Sequence, residues 1–533
     1  MFNIPRSPTC FLVSLLFSIL SQFLFLNSPR SSILNDEGLE VGEHSVLLHK
    51  SGKKRGQRRS FALSAITADQ FIVGQVTINM LPNNALLEIF KIYVDGYLQG
   101  WHTLVHVCRR WRYIVYGSPR RLDLRLVCRA RTPVRKMLDV WPALPIVITG
   151  RGNPAPLAEG TRNIIAALEH NDRLRQIDLS RVPNSLLQRL AAVMQGPFPA
   201  LTSLVLRSKD ESVPVISDTF LDRSAPRLQT LTLDGIPFPA LRKLHSSASD
   251  LVQLDLLRIP SCGYISPEAM VTCLSAMTKL ESLRLEFRSP RSRPGQTSQR
   301  LPPLTPAVLP SLTRFCFKGV NEYLEVIMAQ IDAPLLHDLR ITFFNQLIFN
   351  TSQLHRFINR TEALRALDKV EVAFFTSLAV VTLSSQTGCP RTLSLKILSA
   401  HSDWQLSSLA QVCSSSLPPF PTVECLDIRN YRYWKDDAEN SQWLELFHPF
   451  TAVTNMYLDK GLVPRVAPVL QDLAGESVAE TLPALRNLFL RGFKFKAPGP
   501  VQDAIRQFIA ARWLTGERVT VNRKKRVNVE RGR

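Results

Sequence analysis

The sequence has no Cys-x-x-Cys pair, and its nine cysteines are spaced irregularly along 533 residues. An odd and unpatterned set of cysteines is not the signature of a disulfide framework. The cysteine usage therefore favours a reducing compartment, and we expect the working protein in the cytoplasm or the nucleus.

The motifs of common enzyme classes are also missing. The chain contains no Gly-rich phosphate loop ending in Gly-Lys-Ser/Thr and no Gly-x-Ser-x-Gly elbow. His102 and His106 are spaced like metal ligands on a helix, but Thr103 stands where a zinc protease has its glutamate. We therefore predict no enzyme activity, no cofactor and no metal site.

Positive charge exceeds negative charge, with 65 Lys and Arg against 44 Asp and Glu. The basic residues are spread out, and the densest runs are Lys50–Arg59, Arg109–Lys136 and Arg518–Arg533. No aromatic-rich basic motif of an RNA-binding sheet is present. The charge is typical of solvated tails and a basic face, and a specific nucleic-acid site is a weaker alternative.

One long apolar run lies near the start of the chain, at Cys10–Leu26, with Arg6 before it. It is typical of a signal-peptide core or a short membrane anchor. The following residues lack periodicity and contain the basic stretch Lys50–Arg59. We interpret residues 1–75 as an apolar segment followed by a basic, disordered linker.

Two amphipathic stretches follow within residues 78–119. Leu86, Ile89, Phe90 and Tyr93 form one helical stripe after Leu81-Pro82. Gly96 and Gly100 interrupt the pattern, and a second stripe closes at Gly117-Ser118-Pro119. Its members are Trp101, Leu104, Val105, Cys108, Trp111 and Val115. A helical module this small is expected to pack on another domain or a partner.

From residue 121 a six-residue signature recurs, apolar-x-x-apolar-x-apolar. Most copies start 23 to 32 residues apart, and a gap of 56 contains one further copy at Thr392, with Leu395 and Ile397. The copies start at Leu174, Leu201, Leu228, Leu251, Leu280, Leu312, Leu336, Leu367, Thr392, Val423, Val453 and Leu485. Each copy predicts a strand, and all of them are expected to pair in parallel in chain order.

Helical stretches lie between the predicted strands, and each unit buries its apolar face only by stacking on its neighbours. The clearest are Ile164–Glu169, Leu186–Gln195, Glu268–Met277 and Val466–Leu473, with a capping helix at Gln502–Trp513. The predicted fold is α/β: a short all-α module, then a leucine-rich-repeat solenoid over 120–515. The parallel sheet would line its concave face and the helices its convex face. Residues 288–306 are expected to be a flexible insert and 516–533 a basic tail.

The helical module resembles an F-box. The resemblance rests on Leu81-Pro82, on Leu86-Leu87-Glu88-Ile89-Phe90 and on Val107-Cys108-Arg109-Arg110-Trp111. With the repeats, it is similar to fungal F-box proteins with degenerate leucine-rich repeats, over roughly 78–515. Asn83 and Asn84 replace the acidic residue that often follows Leu-Pro in that family.

The resemblance implies a subunit of an SCF-type ubiquitin ligase. The F-box would bind the adaptor subunit, and through it a cullin, while the repeats bind a protein substrate. The implied adaptor contacts are Leu81, Pro82, Leu86, Ile89, Phe90, Val107, Cys108 and Trp111. Ile89, Phe90 and Trp111 could instead be core residues of the module.

The x positions beside the middle apolar residue should point away from the helices, because side chains alternate along a strand. In the last units they supply aromatic and arginine residues, the types that dominate binding hot spots. The predicted substrate residues are Arg429, Tyr457, Asp459, Phe489 and Arg491. The alternative for Phe489 is packing beneath the helix Gln502–Trp513.

A second function stays open: a secreted or membrane-anchored repeat protein that uses residues 10–26. Asn350-Thr351-Ser352 and Asn359-Arg360-Thr361 fit the glycosylation sequon that such a protein would carry. The membrane would be a partner only if the apolar segment is retained.

Overall fold

The computed structural model describes residues 78–96, 100–132, 134–150, 157–210, 220, 225–237, 249–290, 306–344, 346, 349–385, 390–398, 404–431, 439–473, 481–493, 499–514, 516 and 518–524. The chain divides after Leu124 into a helical first unit and an α/β second unit. The apolar run at residues 10–26, the linker and most of the insert at 288–306 lie outside the described residues.

The first unit contains a 3-10 turn, Ile78–Met80, and three α-helices. They are α1 (Asn83–Gly96), α2 (Gly100–Val107) and α3 (Arg109–Gly117). The predicted break between Gly96 and Gly100 is confirmed. The second predicted stretch is in fact two helices, because Cys108 has extended backbone angles and its Sγ accepts a hydrogen bond from the Trp111 amide. Cys108 therefore caps α3.

The second unit is built on a large, mostly parallel sheet. Sixteen strands of the described residues belong to it, and two short strands, β8 and β10, pair separately. The strands are β1 (Leu126–Cys128), β2 (Ile146–Gly150), β3 (Leu174–Val182), β4 (Ser203–Ser208), β5 (Thr230–Asp234), β6 (Gln253–Ile259), β7 (Ser282–Phe287), β8 (Ala307–Val308), β9 (Arg314–Gly319), β10 (Ile331–Asp332), β11 (Asp338–Phe343), β12 (Lys369–Phe374), β13 (Leu378–Ser384), β14 (Thr392–Leu398), β15 (Cys425–Asn430), β16 (Asn455–Asp459), β17 (Asn487–Arg491) and β18 (Thr520–Lys524).

Helices connect many of these strands and pack on one another as a second layer. Each predicted helical stretch coincides with one of them. They are α4 (Val134–Val140), α5 (Leu157–Leu168), α6 (Asn184–Val193), α7 (Pro267–Ser275), α8 (Asn321–Gln330), α9 (Ser352–Arg360), α10 (Glu362–Arg365), α11 (Gln405–Ser416), α12 (Asn440–Phe447), α13 (Val463–Asp472) and α14 (Pro500–Leu514). A second 3-10 turn spans Ser261–Gly263.

The repeated leucines form the core between the two layers. Leu204 of β4 lies in parallel register with Leu231 of β5, as predicted, and both are fully buried. Thr230 and Asp234 are partly exposed at the ends of the same strand. Burying one such leucine stabilises the fold by roughly 1.5–3 kcal/mol, so stacking equivalent leucines strand after strand is the main stabilising interaction.

Hydrogen bonds from arginine side chains also connect consecutive units. Three of them donate hydrogen bonds to backbone carbonyls about one repeat earlier in the chain. The pairs are Arg173 with Leu144 at 2.9 Å, Arg360 with Met328 at 3.1 Å and Arg512 with Leu482 at 2.6 Å. A guanidinium satisfies several carbonyls at the end of a helix or turn, which would otherwise be buried without donors.

One part of the predicted strand order is wrong. The spatial order is β11-β14-β13-β12-β15, so the two copies at Leu367 and Thr392 are exchanged. Strand β13, which the repeat pattern did not predict, lies between them and pairs antiparallel with both. The remaining pairs of the large sheet are parallel.

The sheet also continues past its predicted end. Strand β18 lies within the segment interpreted as a basic tail and pairs in parallel with β17. Its sequence, Thr-Val-Asn-Arg-Lys, alternates too briefly to be distinguished from a polar tail.

The exchanged strands make a prediction about cross-linking. Thr342 of β11 is paired with Lys396 of β14, whereas Ala373 of β12 is three strands away, roughly 14 Å. Because a disulfide needs Cα atoms within about 7 Å, Thr342→Cys should cross-link to Lys396→Cys under mild oxidation. Thr342→Cys with Ala373→Cys is the matched control and should stay reduced, as judged by mass spectrometry of linked peptides. A disulfide in the control pair would show that β12 lies beside β11, which is the order expected from the sequence.

Candidate functional site

The first candidate site is the helical unit, where the predicted adaptor residues fall into two groups. Leu86, Phe90 and Trp111 lie in its core, and the rings of Phe90 and Trp111 are 4.7 Å apart. The other five are at least partly exposed: Leu81, Pro82, Ile89, Val107 and Cys108. For Phe90 and Trp111 the alternative of a core position is the one observed, and for Ile89 it is not.

The buried and the exposed residues of helix α1 lie on different sides of the helix. Leu86, Phe90 and Val94 recur every four residues and are buried, so they form the core stripe. Ile89 and Ile92 are three residues apart on another side, and Ile92 is 46% exposed. The sequence reasoning missed Ile92, although its spacing from Ile89 was a usable signal.

Further exposed apolar side chains occur elsewhere in this unit. Met80 is 71% exposed, Val107 50% and Tyr113 77%. Exposed apolar side chains in so small a unit are typical of a surface that binds another protein.

Asn83 and Arg110 fasten α1 to α3. The Arg110 guanidinium donates to Oδ1 of Asn83 at 2.8 and 3.0 Å and to the Leu81 carbonyl at 2.5 Å. Asn83, one of the two asparagines that follow Leu81-Pro82, therefore has a structural contact here. Glu88 also forms an ion pair with Arg121.

The second candidate site lies on the open face of the sheet, opposite the helices, at strands β12 and β15 to β17. Its centre is Asp427, whose side chain is only 2% exposed. Arg491 donates to one carboxylate oxygen at 2.6 Å, and Arg429 donates to the other at 2.7 and 3.1 Å. We call these three residues, with the stacked Tyr457 and Phe489, the arginine–aromatic cluster.

Aromatic rings complete this cluster. Tyr457 and Phe489 are neighbours in register, and their rings stack 4.4 Å apart and nearly parallel. The Arg491 guanidinium lies 4.8 Å from the centre of the Tyr457 ring. Phe489 therefore stands on the open face, while Leu488 and Leu490 on either side of it are buried. The alternative, packing beneath helix α14, is wrong.

Charged hydrogen bonds and ion pairs connect Arg429 to its neighbours in the cluster. The hydrogen bond to Asp427 raises the pKa of the Arg429 guanidinium, and burial opposes that shift. Arg429 also donates to the Tyr431 hydroxyl at 3.1 Å and lies 3.4 Å from Glu371. Burial raises the pKa of Tyr457, so its phenol stays protonated near neutral pH.

Asp459, the fifth predicted residue, is used differently. Its carboxylate accepts a hydrogen bond from the backbone amide of Asn430, the last residue of β15, at 3.3 Å. Sequence reasoning missed Glu371, which reaches Arg429 from strand β12, and Tyr431, which follows β15 two residues after Arg429. A stacked pair, Phe375 and Tyr431, continues the surface at the end of the strands, with ring centres 4.8 Å apart.

The described residues contain no group of three His, Cys, Asp or Glu side chains arranged to hold a metal ion. No helix among them has both the length and the apolar character needed to cross a bilayer. None of the seven cysteines that the structure describes forms a disulfide.

Comparison with known proteins adds no identification. No protein-family model matches the chain, and no curated protein matches it.

Proposed function

We propose that this chain is the substrate-recognition subunit of an SCF-type ubiquitin ligase. Helices α1 to α3 would be the F-box that binds the adaptor subunit, and through it a cullin. The strand-and-helix units would be a leucine-rich-repeat solenoid that binds a protein substrate. We propose no catalytic residue in this chain and expect it to work in the cytoplasm or the nucleus.

One observation carries the proposal: a small helical unit with exposed apolar side chains precedes a long sheet, one face of which is not covered by the helices that the structure describes. Val107 and Ile92 are about half exposed in a unit whose own core is filled by Leu86, Phe90 and Trp111. The uncovered face carries polar, arginine and aromatic side chains. A chain with two such different surfaces, one apolar and one polar and aromatic, is suited to binding two partners at once.

Adaptor binding tests the proposal. Changing Ile92 and Val107 together to Asp should reduce co-purified adaptor at least about tenfold, because an unpaired charge in an apolar interface costs well over the ~1.4 kcal/mol of a tenfold change. Both side chains are exposed, so the helical unit should stay folded. The measurement is the amount of adaptor recovered with the full chain after co-expression.

The matched control is Val140→Asp, because Val140 is 74% exposed on helix α4 of the second unit. It places the same charge on an exposed valine and should leave adaptor recovery unchanged. Full recovery of adaptor by the Ile92 and Val107 double variant would show that this surface does not bind the adaptor.

A secreted or membrane-anchored repeat protein is the second candidate. It is favoured by the exposed side chains of Asn350 and Asn359, both within sequons. The lack of a disulfide among the described cysteines weighs against it, since secreted repeat domains commonly carry disulfides. N-linked glycan at either asparagine in the native host would support this candidate over the ligase subunit.

A further inference from the structure

The exchange of strands β12 and β14 changes the charge of the open face at its centre. Beside β11, strand β14 places Ser394 next to Arg340 and Lys396 next to Thr342. A sheet in chain order would put β12 there, with Glu371 next to Arg340 and Ala373 next to Thr342. The observed order therefore removes one carboxylate from this position and adds one ammonium group.

The result is a concentration of positive charge on four adjacent strands, β7, β9, β11 and β14. Two carboxylates, Glu286 and Asp338, stand among five cations on the open face of these strands. We call the five the central basic patch: Arg284, Arg314, Lys318, Arg340 and Lys396.

The carboxylates neutralise only two members of the patch. Arg284 pairs with Glu286 at 2.7 Å, and Arg340 pairs with Asp338 at 2.8 Å. Within the described part of the chain neither Lys318 nor Lys396 forms an ion pair, although Glu286 of β7 lies beside Lys318 in register. The two lysines flank Thr342 in register, which puts their Cα atoms roughly 10 Å apart. The Lys318 ammonium lies 5.7 Å from the centre of the Phe344 ring, which limits where it can move.

The strands that precede the patch have the opposite balance. Strands β3 to β6 carry Asp178, Asp234 and Asp255 on this face, and two of them pair with Arg207 and Arg258. Asp255 is 5% exposed, and it accepts hydrogen bonds from Thr232 and Gln253. The excess of cations over carboxylates on the open face is therefore larger on β7, β9, β11 and β14 than on β3 to β6.

This inference rests on the proposed function, in which the repeats bind a protein substrate. We infer that the central basic patch binds an acidic peptide segment of that substrate. Carboxylates of the segment would pair with Lys318 and Lys396, and the Thr342 hydroxyl between them would donate a hydrogen bond. Charge complementarity selects this occupant. Glu286 and Asp338 would repel the closely spaced phosphates of a nucleic acid, whereas a peptide can place its carboxylates between them.

The test is fluorescence anisotropy with a labelled oligoglutamate peptide and the full chain. The unmodified protein should bind it in a salt-sensitive manner and should not bind the matching oligoglutamine peptide. Lys318→Glu with Lys396→Glu should weaken binding at least about tenfold. Lys318→Gln with Lys396→Gln, which introduces no repulsion, should weaken it about threefold or more and covers the case in which the first variant misfolds.

The control is Arg135→Glu with Lys136→Glu, which changes the net charge equally on exposed positions of helix α4. It should weaken oligoglutamate binding less than about twofold. All of these variants should retain the adaptor, so failure of this inference is distinguishable from failure of the proposed function. The inference would be overturned if the unmodified protein did not bind oligoglutamate. It would also be overturned if the double variants at Lys318 and Lys396 bound oligoglutamate as tightly as the unmodified protein. Tighter binding of oligothymidylate, lost in the same variants, would also overturn it.

Discussion

Replacing Phe90 with Ala should unfold the helical unit without unfolding the sheet. Phe90 is fully buried and contacts Trp111, and truncating a core phenylalanine costs about 3–5 kcal/mol. A unit of three short helices has little stability beyond that. Hydrogen exchange followed by mass spectrometry should show loss of amide protection over residues 83–117 and unchanged protection in β15 to β17.

Ile92→Ala is the control for this prediction, because Ile92 lies on the same helix but is about half exposed. It should cost less than about 1 kcal/mol and leave protection of α1 to α3 intact. Retained protection in the Phe90 variant would mean that the helices are held by contacts other than this core. The prediction also changes how binding data are interpreted, because loss of adaptor in a Phe90 or Trp111 variant reports unfolding.

The helical unit shows what periodicity can and cannot predict. The stripe of Leu86, Ile89, Phe90 and Tyr93 correctly placed α1, and the glycines correctly placed its end. Helix α1 nevertheless carries apolar residues on several sides, including Ile92. Spacing alone cannot decide which side faces the core when more than one qualifies.

The repeat pattern predicted strands more successfully than it predicted their neighbours. The copies at Leu204 and Leu231 pair in parallel and in register, as expected. The copies at Leu367 and Thr392 are also parallel to each other, but β13 lies between them. The hexad predicts which side chains of a strand are buried. It does not predict which strands are neighbours, because β12 and β14 keep the same buried face and direction with β13 between them.

The lengths of the connections between β12, β13 and β14 indicate which of these strands are neighbours. Three residues separate β12 from β13, and seven separate β13 from β14. A parallel connection needs a dozen or more residues, so connections this short indicate antiparallel neighbours. The run Leu-Ala-Val-Val-Thr-Leu-Ser of β13 is itself rich in β-branched residues. The strand exchange, and with it the position of Lys396, follows from that hairpin geometry.

The arginine–aromatic cluster was predicted in its members and not in its interactions. Alternation correctly placed Arg429, Tyr457, Phe489 and Arg491 on one face. Asp427 lies on the same face, but it is almost fully buried because Arg491 reaches it across strand β16. The length of an arginine side chain allows a contact two strands away, and no local pattern contains that distance.

The buried carboxylate of Asp427 should contribute more to local stability than any exposed ion pair of the sheet. Replacing Asp427 with Ala leaves Arg429 and Arg491 facing each other without their shared partner. Removing one member of a buried pair costs about 3–5 kcal/mol. Both arginines are about a quarter exposed and can turn toward water, so we expect about 3 kcal/mol. The measurement is the opening free energy of β15 to β17 from hydrogen exchange.

Asp250→Ala is the matched control, because Asp250 pairs with Lys279 at 2.6 Å but both side chains are well exposed. That variant should lose no more than about 1 kcal/mol, since water screens the pair. Combining Asp427→Ala with Arg491→Ala should cost less than the sum of the two single changes by about 1–3 kcal/mol, because removing Arg491 also removes the repulsion that its partner had balanced. Strict additivity of the two changes, or equal losses in the Asp427 and Asp250 variants, would mean that the carboxylate does not hold the arginines in place. Arg491 would then need another support to keep its position over Tyr457.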